Sequence, residues 1–315
     1  MLVKRILKHL MSFIPTRIHH LSADLRQLLE KMCGYRRLKK LFRNKVGYEL
    51  NLDSPRSYNE KIVWKKIYDR NPLLTVTADK YEVRSYLKKV LGDVEAEKIL
   101  IPLYYVTDKP EDIPLHEIPD SFVIKPNHGS GMHMIIRNFE TTNSSELIRI
   151  CREWLKVNCG LYLYEWAYRG IKKKIIVEQL LQEEEGSLPM DYKLYYFHGK
   201  CKYIAVLKNR LGDESVSVRF YDPNWNLIPA NDYTYPIASE SYARPENLGK
   251  MLSIGDKLSK NFDSVRVDLY HFKGRIYFGE LTHYPASGLN RYKPEAFDFE
   301  LGSHWKLQKE YWLKN

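Results

Sequence analysis

Residues able to do chemistry gather in three stretches of this 315-residue chain. The first is Phe122-Val123-Ile124-Lys125-Pro126-Asn127-His128-Gly129-Ser130-Gly131, where an apolar strand ends in a lysine and runs into a turn with two glycines. Glycine lets backbone N–H groups close over an anion, and the ammonium can reach the same anion from the sheet. That pairing suits a triphosphate. The lysine precedes the glycines and G-x-x-x-x-G-K is absent, so the stretch is neither a P-loop nor a dinucleotide fingerprint. On its own, a glycine hairpin after a strand is most often only a turn.

The second stretch is Arg266-Val267-Asp268 and, twelve residues past the aspartate, Glu280-Leu281-Thr282. By the period of two, Arg266 and Asp268 share one face of a strand, with Val265, Val267 and Leu269 on the other. Register decides what they meet. An odd number of residues in the loop around Lys273-Gly274 sets Asp268 opposite Glu280 and Arg266 opposite Thr282; a strict two-residue turn sends Glu280 to the far face. Adjacent carboxylates repel unless a cation lies between them, so paired acids beside a phosphate loop point to magnesium bridging a triphosphate. The alternative is a cross-strand network in which Arg266 simply neutralises Asp268. The third stretch, Lys174 to Leu181, reads as a buried strand carrying Glu178, an acid that could accept from a ribose or face solvent.

These groups need a scaffold. Helical patterns run around Leu21 to Met32 and Tyr35 to Phe42, and Ser57-Tyr58-Asn59-Glu60 is a capping box opening a helix through Ile67. A further helix is expected from Asp79 to Leu91, stopped by Gly92. Beyond it, apolar runs bounded by turn residues predict strands at Ile99 to Val106, Phe122 to Lys125, Met132 to Ile136, Lys174 to Leu181, Asp191 to Phe197, Lys200 to Leu207, Val265 to His271 and Arg275 to Leu281. His198-Gly199 and Lys273-Gly274 are the hairpin turns, and helices are expected near Ser145 to Val157 and Pro245 to Lys260. Antiparallel hairpins with interspersed helices make the fold class α+β.

Charge is placed unevenly. The chain holds 50 Lys plus Arg against 39 Asp plus Glu, a net charge of +11. Residues 1–45 carry twelve of those cations and two acids (Asp24 and Glu30), which leaves +10 in this segment and a nearly neutral body. No nucleic-acid surface is therefore expected of the body. Within residues 1–14, Val3, Ile6, Leu7, Leu10, Phe13 and Ile14 recur at helical spacing opposite Lys4, Arg5, Lys8 and His9. This is a short basic amphipathic helix, too interrupted to cross a bilayer. It either lies on an anionic leaflet or packs on the protein's own body. Cys33, Cys151, Cys159 and Cys201 form no C-x-x-C pair, a pattern that fits a reducing compartment and neither a disulfide framework nor structural zinc.

In this order the pieces resemble the ATP-grasp superfamily of carboxylate–amine ligases. Ala78-Asp79-Lys80 looks like its D-K helix start, Lys125-Pro126 and Gly129-Ser130-Gly131 like its second nucleotide lysine and glycine loop, and Val177-Glu178 like the hinge at adenine and ribose. Arg266-x-Asp268 and Glu280-x-Thr282 are placed like its R-x-D and E-x-N magnesium elements, with Thr282 where most members have asparagine. The texts ADKYEVRSYL, FVIKPNHGSG, DYKLYYFHGK, VRVDLY and YFGELTHYPASG resemble more narrowly the TupA-like branch, linked to teichuronopeptide and capsular polysaccharide biosynthesis, over about residues 45 to 305. The resemblance implies two α+β subdomains clasping ATP, with residues 46–98 as a helical lead-in, 99–173 as the first subdomain and 174–315 as the second, behind the 1–45 basic segment. The α/β domain that usually comes first is replaced by helices.

It further implies ATP and Mg2+ as cofactors, with Lys80, Lys125, His128, Gly129, Ser130, Gly131, Glu178 and Lys193 at the nucleotide. Asp268, Glu280 and Thr282 would be at the metal, Arg266 at the oxyanion, and Ser287 and Gly288 in an acceptor loop. The expected activity is acyl-phosphate ligation of an acid to an amine, with a saccharide or lipid-linked glycan acceptor and an amino-acid or amine co-substrate. The expected location is cytoplasmic, at the inner face of the cell membrane only if residues 1–14 lie on the anionic leaflet. Two other readings differ in chemistry: a carbohydrate kinase or sugar-transferring enzyme using His128, His133 or His283 as base, and a non-catalytic membrane-surface scaffold. For the N-terminal helix, co-sedimentation with anionic liposomes is expected to fall at least several-fold when residues 1–15 are removed; equal pelleting would assign the helix to the protein body.

Overall fold

The computed structural model describes residues 23–183, 188–208, 216–232 and 235–312, so the amphipathic stretch at 1–14 lies outside the described residues. Helices α1 (Ala23–Met32), α2 (Arg36–Val46), α3 (Tyr58–Tyr68), α4 (Pro72–Ala78), α5 (Val83–Leu91) and α6 (Asp93–Ile99) come first. Strands β1 (Leu103–Thr107), β2 (Phe122–Pro126) and β3 (Met134–Ile136), helices α7 (Ser144–Lys156) and α8 (Cys159–Tyr162), and strand β4 (Ile175–Gln179) follow. Then come β5 (Met190–Phe197), β6 (Lys200–Lys208), β7 (Ser217–Tyr221), β8 (Leu227–Ile228), β9 (Asn231–Asp232), α9 (Leu248–Ser259), β10 (Ser264–Phe272), β11 (Arg275–Thr282), β12 (Tyr292–Lys293) and α10 (Ala296–Ser303). No helix among the described residues is long and apolar enough to cross a membrane.

Two antiparallel sheets carry the site: four strands in the order β1-β4-β2-β3 and six in the order β11-β10-β5-β6-β7-β8. The α+β class expected from the hairpins is the one observed. Strand β4, expected with the second subdomain, is instead a central strand of the four-stranded sheet, so a division at 173/174 does not separate the sheets. Its Ile175, Ile176 and Val177 are fully buried, as a strand with neighbours on both edges and cover on both faces requires. The helical lead-in is likewise no appendage. Leu74, Val83, Tyr86, Leu87, Ala96 and Ile99 from α4 to α6 share one core with the six-stranded sheet, whereas α7 covers the four-stranded sheet through Leu147, Cys151 and Trp154.

Local signals explain most boundaries. Ser57 accepts the Glu60 amide while the Glu60 carboxylate accepts the Ser57 amide, completing the capping box of α3. Helix α5 starts later than expected because Asp79 first caps a turn, accepting the amides of Tyr81 and Glu82; Gly92 stops it with φ 85°. Helices α4 and α6, seven residues each, are too short for their periodicity to show in the sequence.

The β10–β11 hairpin departs from the rule that governed its expected register. Phe272 pairs with Arg275, so Lys273-Gly274 is a strict two-residue turn with φ 47° and 73°. By alternation this turn would send Glu280 away from Asp268. A β-bulge intervenes: Leu269 pairs with Phe278, Asp268 pairs with Glu280, and the extra residue is Gly279. A methyl group at Gly279 would sit 3.1 Å from both the Asp268 carbonyl oxygen and the Tyr270 ring, which explains a residue without a side chain there. Loss of the fully buried cap in Ser57→Ala is expected to cost about 1 kcal/mol, seen as a lower urea midpoint at unchanged slope.

Candidate active site

A cleft runs between the two sheets and encloses about 1100 Å³ with open solvent included. One wall comes from the four-stranded sheet. Val123 pairs with Glu178 and Lys125 with Ile176, so these side chains share the cleft face, while Phe122, Ile124, Ile175 and Val177 point into the α7 core. The Lys125 ammonium lies 2.5 Å from the Glu178 carboxylate. The glycine loop follows directly, and Gly129, Ser130 and Gly131 all line the cleft. Gly129 has φ 88°, and a Cβ there would lie 2.3 Å from Cys159 Sγ, so conformation and space both demand glycine.

Lys80 closes the cleft from the helical side. Its backbone N–H donates to the Asn127 carbonyl at 3.0 Å, and its ammonium donates to the Gly129 carbonyl and lies 3.9 Å from Glu280. Burial holds the Lys80 pKa below its ordinary value against the pull of Glu280, and neighbouring Lys125 pushes the same way as burial. An anion entering the cleft would offset this cost of burial.

The opposite wall is the six-stranded sheet. Asp268, 1% exposed, takes two bonds from Arg266 (Nε to Oδ1 at 2.7 Å, Nη2 to Oδ2 at 2.6 Å) and a third from Lys193 at 2.7 Å. Arg266 also donates to Thr282 Oγ1 at 3.1 Å, and Thr282 donates to Glu280 Oε1 at 2.9 Å. Two carboxylates, a hydroxyl and a guanidinium thus share one surface. Of these groups Glu280 faces the cleft, whereas Asp268 stands behind it as an anchored charge.

Four expected site residues lie elsewhere. The His128 ring is buried, with Nε2 3.1 Å from the Val157 carbonyl, and burial pushes its pKa down to about 4; it does not line the cleft. Lys193 is engaged by Asp191 at 2.8 Å and by Asp268, and does not line the cleft either. Ser287 receives the buried Lys66 ammonium on Oγ and its carbonyl at 2.8 and 2.7 Å. Gly288 abuts α3, where a Cβ would lie 2.7 Å from the Asn59 carbonyl, so both residues are packing elements on the helical side. His283, bonded to Thr77 Oγ1 at 2.7 Å and held by burial down to about 3, is a neutral core residue, which leaves His133 as the cleft-lining histidine of the three considered.

Sequence reasoning passed over the residue that assembles the nucleotide side. Asn127 donates to Asp79 Oδ2 at 2.8 Å and to the Lys172 carbonyl at 2.9 Å, and accepts the Lys174 amide at 2.8 Å. One amide side chain thereby fixes the start of α5, the glycine loop and the entry to β4. Asp191 and Tyr270, the first residue of DYKLYYFHGK and the last of VRVDLY, also line the cleft.

The chain belongs to the TupA-like ATPgrasp family, whose model matches residues 60–306. The fold is ATP-grasp. No curated protein matches it. Among solved structures it is similar to a D-alanine–D-alanine ligase from Bacillus anthracis, at 18% identity over 66% of this chain and 57% of that one, with a TM-score of 0.39. It is also similar to the D-alanine–D-alanine ligase from Helicobacter pylori, at 12% identity over 81% and 70%, with a TM-score of 0.44. The chain spans little more than half the length of the Bacillus anthracis enzyme, and no property of these enzymes is carried over to it.

The cleft fits a nucleoside triphosphate. It offers two ammonium groups and the glycine-loop backbone to phosphates, apolar walls from Ile101, Ile135 and Leu181 to a base, and Glu178 as an acceptor. No cluster of three or more His, Cys, Asp or Glu side chains among the described residues could hold a metal alone. Magnesium is compatible with that, since it is commonly held by one or two carboxylates with phosphate oxygens completing the shell; Glu280 is the cleft-facing carboxylate that would hold it, with the Thr282 hydroxyl beside it, while both oxygens of the expected ligand Asp268 are taken by Arg266 and Lys193. Gly129→Ala is expected to weaken ATP binding at least tenfold while circular dichroism stays native. Adding Cys159→Ala should restore only part of the loss, because it removes the collision but not the positive φ.

Proposed function

We propose that this protein is an ATP-dependent carboxylate–amine ligase. The observation that carries the reading is the convergence on one cleft of Lys80, Lys125 and the glycine loop with Glu280, itself oriented by Thr282 and Arg266. Lys80 and Lys125 would bind and orient the triphosphate, and the loop amides would cover it. An anionic substrate carboxylate needs no general base: its oxygen attacks the γ-phosphorus, the bond to the β-phosphate oxygen breaks, and an acyl phosphate and ADP result. An amine then attacks the acyl carbon, releasing inorganic phosphate and a proton. Arg266, anchored by Asp268, would stabilise charge on the reacting carbonyl oxygen. Magnesium, where bound, would neutralise phosphate charge next to Glu280.

Membership of the TupA-like family supports placing this ligation in surface-polysaccharide assembly, with a uronic acid or amino-sugar unit coupled to an amino acid. A second reading, phosphorylation of a sugar hydroxyl, has one observation in its favour: His133 lines the same cleft and could take the hydroxyl proton. Incubation with ATP, magnesium and panels of acids and amines, followed by mass spectrometry, is expected to yield an amide and ADP; a phosphomonoester would establish the kinase reading, and no nucleotide turnover would overturn both.

Glu280→Gln keeps the shape and removes the charge of the cleft-facing acid. It is expected to lower turnover by about 10²–10³-fold, the usual cost of one electrostatic group, with thermal stability near wild type because this side chain is about one third exposed. Asp268→Asn together with Glu280→Gln should abolish turnover. Wild-type rates in that double variant would remove both acids from the mechanism.

A further inference from the structure

A second cavity opens on the far side of the segment that walls the glycine loop, between the N-terminal helices and residues 164–169. It encloses about 710 Å³, open mouth included, and shares no lining residue with the nucleotide cleft. Its rings are Tyr35, Tyr68, Tyr164 and Trp166, and its cations are Lys31, Lys66, Arg70 and Arg169. No acid lines it. Two acids close by are already engaged: Glu30 accepts the Arg37 amide and lies 3.8 Å from its guanidinium, and Glu165 feels the charge of Lys66, whose ammonium donates to Ser287. Arg70 is held in place by donating to the Asp69 and Ile67 carbonyls and lies 5.2 Å from the centre of the Trp166 ring.

Backbone strain singles out the same spot. Tyr35 has φ 58° and Tyr164 has φ 64°, a left-handed conformation that a bulky side chain rarely adopts. Glycine or asparagine would relieve either turn. Instead both positions hold a tyrosine, and the two rings meet edge to face with centroids 6.0 Å apart inside this cavity. Strain of this kind persists where the surrounding structure needs the side chain in that place.

We propose that the cavity binds an anionic sugar, a pyranose-sized unit bearing a carboxylate or a phosphate. A sugar presents an apolar C–H face and a rim of hydroxyls, and tyrosine matches both with its ring and its O–H. Guanidinium groups suit a carboxylate or phosphate through paired N–H donors. An acyl chain does not fit, because Leu28 and Ile67 are the only aliphatic residues lining the cavity among those described. A planar base does not fit either: Tyr35 and Tyr164 offer no parallel pair for stacking, and Arg70 lies over Trp166. The segment carrying Tyr164, Trp166 and Arg169 also carries Cys159, which abuts Gly129, so a sugar held here sits across one strap from the glycine loop. That the bound sugar belongs to the acceptor rests on the ligase reading; the binding itself does not.

The test is titration of the full chain, without nucleotide, with glucuronate, glucose 6-phosphate, glucose and inorganic phosphate, read by calorimetry and saturation-transfer NMR. At least one of the two charged sugars is expected to bind at least tenfold tighter than glucose and phosphate, the better one showing whether carboxylate or phosphate is preferred. Lys31→Glu with Arg169→Glu, both exposed positions, should weaken that binding at least tenfold and leave ATP affinity unchanged. Tyr164→Phe should weaken it without altering the fold. Glucose or phosphate binding as tightly as the charged sugars, no binding by any of the four, or charged-sugar binding indifferent to the double variant would overturn the proposal. No turnover is measured, so these outcomes stand apart from success or failure of the ligase assay.

Discussion

Asp268 is a carboxylate buried on a strand paired on both edges, and the site's geometry follows from how its charge is compensated. Isolated burial of such a charge is prohibitive, and removing one partner from a buried ion pair typically costs about 3–5 kcal/mol. Here Lys193 reaches it from β5, Arg266 from its own strand, and the same guanidinium continues to Thr282 and Glu280 on β11. Three strands are tied through one carboxylate. The consequence for function is orientation: Glu280 is presented to the cleft by a hydroxyl and a guanidinium that are themselves fixed.

On the other side of the cleft a neutral group has the corresponding role. Asn127 bonds to Asp79, to Lys172 and to Lys174, so the helix start bearing Lys80, the loop bearing Gly129 and the strand bearing Glu178 are tied together. The two halves of the candidate site therefore rest on different physics, ionic compensation in the large sheet and amide hydrogen bonding at the edge of the small one. They meet across a space where Lys80 lies 3.9 Å from Glu280. That contact is loose enough to be exchanged for phosphate oxygens.

The strap from Cys159 to Arg169 links this cleft to the helical side of the molecule. One end presses Cys159 against Gly129, and the other presents Tyr164, Trp166 and Arg169 to a cavity whose remaining wall is built by α1, α3 and the residues beside them. The helices that stand where an α/β domain usually precedes the fold thereby supply both core for the six-stranded sheet and a separate binding surface.

Much of this was legible in the amino-acid sequence wherever the rule was local. The capping box at Ser57 and Glu60, the strand ending at Lys125 before a glycine turn, and the shared face of Arg266 and Asp268 each depend on a few neighbouring residues. Other features depended on contacts far apart in the chain. The turn at Lys273-Gly274 by itself implied that Glu280 points away from Asp268, and only the bulge at Gly279, packed against Asp268 and Tyr270, reverses that. Lys193 and His128 stand in stretches expected at a nucleotide, yet a buried carboxylate holds one and the Val157 carbonyl lies against the other. The sequence by itself determined the fold class, the order of elements and which residue types reach the cleft, because periodicity and capping act over short spans. Tertiary structure alone decided which faces those residues take, because one residue of register reverses a strand's two faces and register is set by partners that the chain meets only when folded.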